Sequence, residues 1–324
     1  MIKGVKVRLS IHNILFNIFK YNKTINNSSI QKLINNNKLE DIAFINKVTL
    51  SSMRYYFHAK KIINKYVKKR IKDHEKILLL SAITQLVFLN FKEYAVINCS
   101  VEIAKKLNIY HGFINAVLKK ILLEKKELSN IIITFNDLPL WVRETTKNLT
   151  DLQKENFIIN FYKEPDIHIV FKNKFELKKF EEKILKSSEN SGFLIENKRV
   201  DKIKSFKDGS WWVQDFSSSF PINNLKRLDN KKKYLDMCSA PGGKAFQILS
   251  RGVEVNLYDK SKSRIKILKE NLKRLNFNAE VKNNDALNIS KKYDFIIVDA
   301  PCTAIGTIRR NPEIFFKSNK PDLK

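Results

Sequence analysis

The chain has 324 residues, enough for two or three domains, and its hydrophobic fraction of 43% excludes a wholly disordered protein. It holds 61 Lys and Arg residues against 33 Asp and Glu residues, which gives a formal net charge of +28. This excess favours a polyanionic partner, most simply nucleic acid, although a general bias in composition would also spread charge along the chain.

The few cysteines and histidines exclude several kinds of site. Cys99, Cys238 and Cys302 are an odd and sparse set, which argues against a disulfide framework and for a reducing compartment. The five histidines are scattered without metal-ligand spacing, so no metal site is predicted. No signal peptide is visible, and the most apolar run, Ile77–Leu89, is shorter than the roughly 20 residues of a membrane span. The sequence therefore predicts a soluble, cytoplasmic protein with no membrane contact.

The first part of the chain has the periodicity of helices. Apolar residues recur at helical spacing from Leu9 onward, and no proline occurs before Pro139. The helix predicted over Ile77–Leu89 is apolar on most sides, which suits the centre of a bundle. Two further helices fit Tyr94–Leu107 and Gly112–Leu123. An all-helical bundle is therefore predicted for this part of the chain.

The segment that follows changes in character. Ile167–Val170 alternates as a short strand, Phe175–Leu185 fits a helix, and Ser187–Gly192 is typical of a polar linker. The adjacent Trp211 and Trp212 can stack on bases, or they can belong to a core or an interface. A small α/β connector is predicted here.

From Lys231 onward, strand patterns alternate with helix patterns. Phe295–Val298 is a continuous apolar run of the buried parallel-strand type. The alternation predicts a parallel, doubly wound sheet. The predicted strands are 235–238, 253–258, 279–282 and 295–298, and the predicted helices are 245–250 and 263–275.

A loop of small residues, CSAPGGK at 238–244, follows the first of these strands. Its adjacent glycines, Gly242 and Gly243, allow the backbone to approach a ligand, at the sheet edge where open α/β folds bind ligands. The loop lacks the GxGxxG pattern of dinucleotide sites, and Ala245 stands where a phosphate loop needs Ser or Thr. A phosphate-binding role is therefore weakly supported.

Four aspartates stand at the ends of successive predicted strands, Asp236, Asp259, Asp285 and Asp299. A carboxylate in the position of Asp259, at the end of the second strand, can accept hydrogen bonds from both ribose hydroxyls. Aspartate is also common in ordinary turns, but one acid at each strand end favours a ligand site.

Two groups of motifs resemble known proteins. SAITQLVFLN, EYAVINCSVEIAKKL and GFINAVLKKIL, between residues 81 and 122, resemble the helical NusB-like RNA-binding domain, although a generic bundle explains their periodicity equally well. CSAPGGK, followed by DAPCTAIGTIRRNPEI at 299–314, resembles the cofactor loop and catalytic segment of bacterial RNA cytosine-C5 methyltransferases of the RsmB (Sun) type. In that family the NusB-like domain precedes the catalytic part.

The resemblance implies S-adenosyl-L-methionine (SAM) as the cofactor and a cytosine in ribosomal RNA as the substrate. By the same resemblance, Asp285 faces the adenine amino group and Asp299 lies beside the reacting centre. The residues assigned to the cofactor in this way are Cys238, Ser239, Ala240, Pro241, Gly242, Gly243, Lys244, Asp259, Asp285 and Asp299.

Methylation at C5 needs a thiol, because C5 becomes nucleophilic only after a thiolate adds to C6. Cys302 is the candidate, with Asp299 as the second catalytic residue. In the family, however, the cysteine of this segment assists product release, and the nucleophile lies in a later Thr-Cys segment. The sequence stops at Lys324, so a fragment or truncated product is expected, with a missing half from another chain or Cys302 as sole nucleophile as alternatives. Phe295–Val298 is then expected at an exposed edge of an incomplete sheet.

The combined expectation is a multi-domain protein, with an all-α NusB-like bundle followed by an α/β Rossmann-like SAM-dependent methyltransferase domain. Its predicted function is to form 5-methylcytosine in 16S ribosomal RNA, as a monomer, through a covalent Cys–C6 adduct. The alternatives are a non-catalytic RNA-binding protein and a methyltransferase that acts on transfer RNA. The predicted domains are 1–130 (NusB-like), 131–229 (small α/β connector) and 230–324 (methyltransferase).

Overall fold

The computed structural model describes residues 3–196, 199–225, 228–285, 288–300 and 302–316. The chain forms two compact units, one from residues 1–164 and 302–324 and the other from residues 165–301. The predicted division into three domains, with boundaries near residues 130 and 229, stays a prediction.

The first unit is helical, as the periodicity predicts. Among the described residues, no helix is long and apolar enough to cross a membrane. The helices are α1 (Lys3–Tyr21), α2 (Ser28–Asn35), α3 (Leu39–Arg54), α4 (Tyr56–Tyr66), α5 (Asp73–Ile83), α6 (Glu93–Lys106), α7 (His111–Leu123), α8 (Lys125–Leu128), α9 (Leu140–Thr145) and α10 (Asp151–Tyr162).

Helix α5 lies in the core of this bundle, and every side chain from Ile77 to Ile83 is buried. A π-helical segment, Thr84–Phe88, continues the helix. The buried hydroxyl of Thr84 donates to the carbonyl of Leu80 at 2.9 Å, which satisfies a polar group that the apolar run carries into the core. The prediction of a central, largely apolar helix is confirmed.

The segment 302–316 belongs to the first unit. Phe315 is 2% exposed and packs edge-on against Phe57 and Phe161, with ring centroids 5.6 and 4.5 Å away. The buried guanidinium of Arg54 donates to a backbone carbonyl of this segment at 2.9 Å. Aromatic packing and this hydrogen bond therefore join the segment to the helical bundle.

The second unit begins with an antiparallel sheet. Its elements are β1 (His168–Phe171), α11 (Lys174–Lys178), β2 (Ile184–Ser188), β3 (Ser191–Leu194) and β4 (Trp211–Val213). The strand order is β2-β3-β1-β4, so β1 is paired on both sides.

Two sequence predictions are wrong in this sheet. The helix predicted over Phe175–Leu185 ends at Lys178, and the linker predicted over Ser187–Gly192 is a hairpin of β2 and β3. A Cβ at Gly192 would lie 2.8 Å from the carbonyl oxygen of Leu185, so glycine is what lets the two strands approach. Strand pairing of this kind overrides local helical periodicity.

Trp211 and Trp212 are part of the core. Their exposed fractions are 0% and 2%, and the ring of Trp212 packs against Phe246 and Phe277 with centroids 5.8 and 6.4 Å away. Buried rings offer no face to a nucleic-acid base. The base-stacking prediction is therefore wrong, and the core alternative is confirmed.

The second sheet of this unit is parallel. Its elements are α12 (Phe216–Asn223), β5 (Tyr234–Asp236), α13 (Gly243–Leu249), β6 (Val255–Asp259), α14 (Lys262–Arg274), β7 (Val281–Asn283) and β8 (Phe295–Ile297). The strand order is β7-β6-β5-β8, and every described pair is parallel. The predicted α/β methyltransferase-like architecture is confirmed.

Strand β8 forms one edge of the parallel sheet. Phe295, Ile296 and Val298 are 41%, 53% and 60% exposed. The apolar edge expected from the sequence is therefore present within the described part of the chain.

Candidate cofactor site

The candidate site lies at the carboxyl ends of the parallel strands. Strand β5 pairs with β6 on one side and with β8 on the other, so the direction in which the sheet grows reverses at β5. Such a reversal leaves a crevice at the carboxyl ends of the strands, where ligands bind in open α/β sheets. The loop between Asp236 and Gly243 leaves β5 at this edge and leads into α13.

The two glycines of the loop are needed for its fold. Gly242 has a φ of +117°, and an added Cβ would lie 2.0 Å from Cζ of Phe246. Gly243 is the first residue of α13, and a Cβ there would lie 3.1 Å from Cδ of Gln214. A side chain at either position would therefore displace the loop or its neighbours.

Hydrogen bonds to neighbouring elements hold the rest of the loop. The amide and hydroxyl groups of Ser239 both donate to the carbonyl of Tyr258, at 3.0 and 3.1 Å. The guanidinium of Arg264 donates to the carbonyl of Ala240. The loop is therefore fixed against β6 and α14.

Asp259 ends β6 and is only 4% exposed. Its Oδ2 accepts from the amide of Ala240 at 3.2 Å, and its Oδ1 accepts from the amide of Ser261 at 2.9 Å. The guanidinium of Arg264 lies 3.6 Å from Oδ2. Asp259 therefore ties the loop to α14, and its predicted contact with a ribose stays a prediction.

Asp236 is the last residue of β5 and is 1% exposed. Its Oδ1 has no hydrogen-bond partner among the described residues. Burial raises the pKa of this carboxyl to about 7, the ammonium of Lys244 lowers it, and the carboxylate of Asp299 raises it further. A buried carboxyl oxygen without a partner among the described residues, at the end of the strand that leads into the loop, is suited to a ligand group that donates a hydrogen bond or carries positive charge.

Lys244 links the two loops that the sequence singles out. Its Nζ lies 2.5 Å from Oδ2 of Asp299 and donates to Oγ of Ser218 at 3.0 Å. The Lys244 side chain is 14% exposed, whereas that of Asp299 is 60% exposed. The largely buried Lys244 therefore holds the exposed carboxylate of Asp299 in place at the sheet edge.

Asp285 follows β7, and its carboxylate lies 3.9 Å from Nζ of Lys260. Its side chain is 41% exposed, so it is open to a ligand. Its predicted contact with adenine stays a prediction. Of the residues in the motifs quoted above, Pro301 lies outside the described part of the chain.

The two cysteines near the motifs differ in their surroundings. Cys302 is exposed, and its Sγ accepts from the amide of Ala304 at 3.3 Å. It belongs to the first unit, whereas Asp299 and the loop belong to the second. Burial raises the pKa of the Cys238 thiol, with further increases from Asp259 and Asp236, which disfavours a thiolate there.

Sequence reasoning missed three side chains that support the loop. Arg264 bonds to Ala240, Ser218 accepts from Lys244, and Gln214 packs against a loop glycine. No local pattern in the sequence shows these contacts. They join positions that are distant along the chain.

Comparisons with known proteins identify two regions. Residues 224–324 match the family model described as 16S rRNA methyltransferase RsmB/F, and residues 5–123 match the NusB family model. A probable ribosomal RNA small subunit methyltransferase B of Coxiella burnetii is 28% identical over 324 residues, which cover 88% of this chain and 73% of that protein. The ribosomal RNA small subunit methyltransferase B of Vibrio vulnificus is 26% identical over 346 residues, which cover 98% of this chain and 80% of that protein.

A solved structure shares the fold over nearly the whole chain. The crystal structure of PH0851 has a TM-score of 0.68 at 17% identity, and the match covers 99% of this chain and 79% of that protein. This likeness agrees with a helical region followed by an α/β region.

Proposed function

We propose a function for the whole chain, because residues 224–324 match the 16S rRNA methyltransferase RsmB/F family model and residues 5–123 match the NusB family model. The protein transfers a methyl group from SAM to C5 of a cytosine in small-subunit ribosomal RNA. The observation that carries this proposal is the glycine loop at the sheet reversal, joined through Lys244 to Asp299. The net charge of +28 supports an RNA substrate.

The residues at the sheet edge fit SAM. The unpartnered buried oxygen of Asp236 is matched by the ammonium and sulfonium charges of this cofactor. Gly242 and Gly243 let the loop fold closely against Phe246 and Gln214. Asp259 and Asp285 provide carboxylates for the ribose and adenine of the cofactor. Bound there, SAM would supply an electrophilic methyl group.

The protein must make C5 of the base nucleophilic and then restore the ring. In the proposed mechanism a cysteine thiolate forms a bond to C6, and the electron pair displaced from the C5–C6 double bond makes C5 nucleophilic. C5 then forms a bond to the methyl carbon, and the bond from that carbon to sulfur breaks, so that the donor leaves as a neutral thioether. Loss of the C5 proton to a base then re-forms the double bond and expels the thiolate. Cys302 is the exposed cysteine of the described chain, and it serves as the attacking or the assisting thiol. Asp299, held by Lys244, accepts a hydrogen bond from the cytosine ring system.

Incubation with unmodified 16S ribosomal RNA and SAM carrying a labelled methyl group tests the proposal. Label should appear in RNA as 5-methylcytosine, and Cys302→Ser should abolish or strongly reduce it. Calorimetry with SAM alone tests the site separately, and Asp259→Ala should weaken binding because the loop loses its tie to the Ala240 amide. Unchanged affinity in that variant would contradict the assignment of the loop.

The same assay, run in parallel with unmodified transfer RNA, discriminates the alternatives. Binding of SAM and RNA without transfer would support a non-catalytic RNA-binding protein. Label that enters transfer RNA and not ribosomal RNA would move the substrate to that class.

A further inference from the structure

A chain of buried side-chain hydrogen bonds joins the antiparallel sheet to the helix that follows the cofactor loop. Nε1 of Trp212 donates to Oε1 of Gln214 at 2.8 Å, and Nε2 of Gln214 donates to Oε1 of Gln247 at 2.8 Å. Nε2 of Gln247 then donates to Oδ1 of Asn223 at 2.8 Å and to the carbonyl of Ser219 at 3.0 Å. Gln214 is 6% exposed and Gln247 is 2% exposed. Both amide groups are therefore fixed in orientation by partners on two elements.

The backbone of Gln214 is held as firmly as its side chain. Its amide donates to the carbonyl of His168 at 3.1 Å, and its own carbonyl accepts from Nδ1 of His168 at 2.8 Å. Nε2 of the same histidine lies 2.8 Å from Oγ of Ser187 in the neighbouring strand β2. Gln214 is therefore anchored to the centre of the antiparallel sheet.

The side chain of Gln214 also packs against the loop at Gly243. A Cβ at Gly243 would lie 3.1 Å from its Cδ, 3.3 Å from its Cγ and 3.4 Å from its Nε2. Gly243 follows the left-handed Gly242 and starts α13, so it is where the loop turns into the helix. The amide of Gln214 therefore packs directly on the backbone at this turn.

We propose that Gln214 is a positioning residue that holds the backbone of Gly243 in the conformation that binds the cofactor. A loop that is fixed before binding loses less conformational entropy when the ligand arrives, which strengthens affinity. Without Gln214, the buried N–H of Trp212 and the Oε1 of Gln247 lose their partners, and the loop loses its support. This inference rests on the proposed function, because it takes SAM as the ligand.

The inference extends the cofactor site beyond the segment that the RsmB/F family model matches. That match begins at residue 224, whereas Gln214 lies in the chain between β4 and α12. Gln214 and the loop belong to the same compact unit. The antiparallel sheet is therefore a structural part of the cofactor site.

Calorimetry with SAM on the full chain tests the proposal. Gln214→Ala should weaken SAM binding about tenfold or more. Gln214→Met keeps the volume of the side chain but not its hydrogen bonds, so its SAM affinity should lie between those of the native protein and of Gln214→Ala. Thr84→Val is the matched control, because it removes a hydrogen bond from a fully buried polar side chain of the first unit. The control should lower the melting temperature and leave SAM affinity unchanged.

A double-mutant cycle provides a readout that general destabilisation does not produce. Gly243→Ala should weaken SAM binding in the native background, because its Cβ meets Gln214 at 3.1 Å. In the Gln214→Ala background the same substitution should weaken SAM binding clearly less, because the side-chain atoms that the Cβ would meet are gone. If the fold-changes in SAM affinity of the two single variants simply multiply in the double variant, the proposed contact between these two residues is wrong.

The outcomes separate the two proposals. SAM binding by the native chain with unchanged affinity in Gln214→Ala overturns the positioning role alone. Absence of SAM binding by the native chain overturns the proposed function and, with it, the role of Gln214. Hydrogen exchange adds a measurement without ligand, and faster exchange at the Phe246 amide, which bonds to the carbonyl of Gly242 at 2.8 Å, is expected in Gln214→Ala.

Discussion

At the scale of single residues, the buried carboxyl group of Asp236 should make the stability of the protein depend on pH. Burial raises its pKa to about 7, whereas an aspartate in an unfolded chain has a pKa of about 3.9. The folded protein therefore keeps a proton that the unfolded chain loses. The favourable contribution is complete below about pH 4 and is lost as pH rises through about 7. At about 1.4 kcal/mol per pKa unit, the loss is on the order of 4 kcal/mol.

Asp236→Asn tests this expectation, because the amide does not titrate. The free energy of unfolding of the variant, relative to the native protein, should increase between pH 4 and pH 8. Urea unfolding followed by circular dichroism at several pH values measures the difference. If the free energies of unfolding of the variant and of the native protein change in parallel over this range, the pKa of Asp236 is not raised in the folded protein.

Lys244 should matter for activity far more than for stability. Its partner Asp299 has a 60% exposed side chain, and ion pairs of that kind contribute up to about 1 kcal/mol. Lys244→Met should therefore change the free energy of unfolding little, but it should reduce methyl transfer at least about tenfold because Asp299 is no longer held in place. The control is Lys262→Met, on the exposed surface of α14, which should transfer at the native rate. Equal rates of methyl transfer in the two variants would show that Lys244 has no role in the site.

The residues of the site differ in how far the sequence reveals them. Gly242 and Asp299 belong to short local motifs, and the structure places both at the predicted sheet edge. Gln214 and Arg264 act through packing and hydrogen bonds to residues distant in the chain, which a local pattern cannot show. Asp259 directly follows the predicted strand 253–258, but its bond to the Ala240 amide follows only from the folded loop.

At the scale of elements, β8 leaves an apolar edge on the parallel sheet. Ile296 is 53% exposed on this strand, and unpaired strand edges with apolar side chains promote association between molecules. Ile296→Lys should raise the temperature at which light scattering increases, because a charge on the edge opposes strand pairing. The matched control is Ile267→Lys, since Ile267 is 50% exposed but lies on helix α14. Equal effects of the two substitutions would mean that general charge, and not the edge, controls aggregation.

The elements also show where periodicity is a sufficient guide. The parallel strands were predictable because continuous apolar runs such as Phe295–Val298 end at acidic residues or small-residue loops. The hairpin of β2 and β3 was not, because its pairing depends on the close approach at Gly192 and on polar residues that are typical of linkers. Helical periodicity beyond Lys178 was misleading, since the chain there leaves α11 and turns toward β2.

At the scale of the whole molecule, the sequence motifs and the compact units divide the chain differently. The RsmB/F match runs without interruption from residue 224 to residue 324, which suggests one domain. In the structure, residues 302–316 belong to the helical unit, and residues 165–301 form a unit of their own. Sequence continuity could not show this, because the division depends on which core the aromatic side chains of the last segment enter.

Phe315 should therefore stabilise the helical unit although it lies in the methyltransferase family segment. It is 2% exposed and is packed by Phe57, Phe157 and Phe161. Phe315→Ala should lower the free energy of unfolding by about 3–5 kcal/mol, the usual cost of removing a buried phenylalanine. Phe175→Ala, at a residue that is 60% exposed, should cost little and serves as the control.

The readouts for Phe315→Ala can be assigned to the two units separately. Helical circular dichroism reports mainly on the first unit, which holds α1 to α10, with a smaller contribution from α11 to α14 of the second unit. SAM affinity reports on the cofactor site, whose loop and supporting residues all lie in the second unit. Earlier loss of helical signal on heating, with native SAM affinity at low temperature, is the expected result. Because Cys302 lies in the same segment as Phe315, methyl transfer should fall as the helical unit is destabilised, even where the cofactor still binds. Weaker SAM binding with an unchanged helical transition would instead place Phe315 with the second unit.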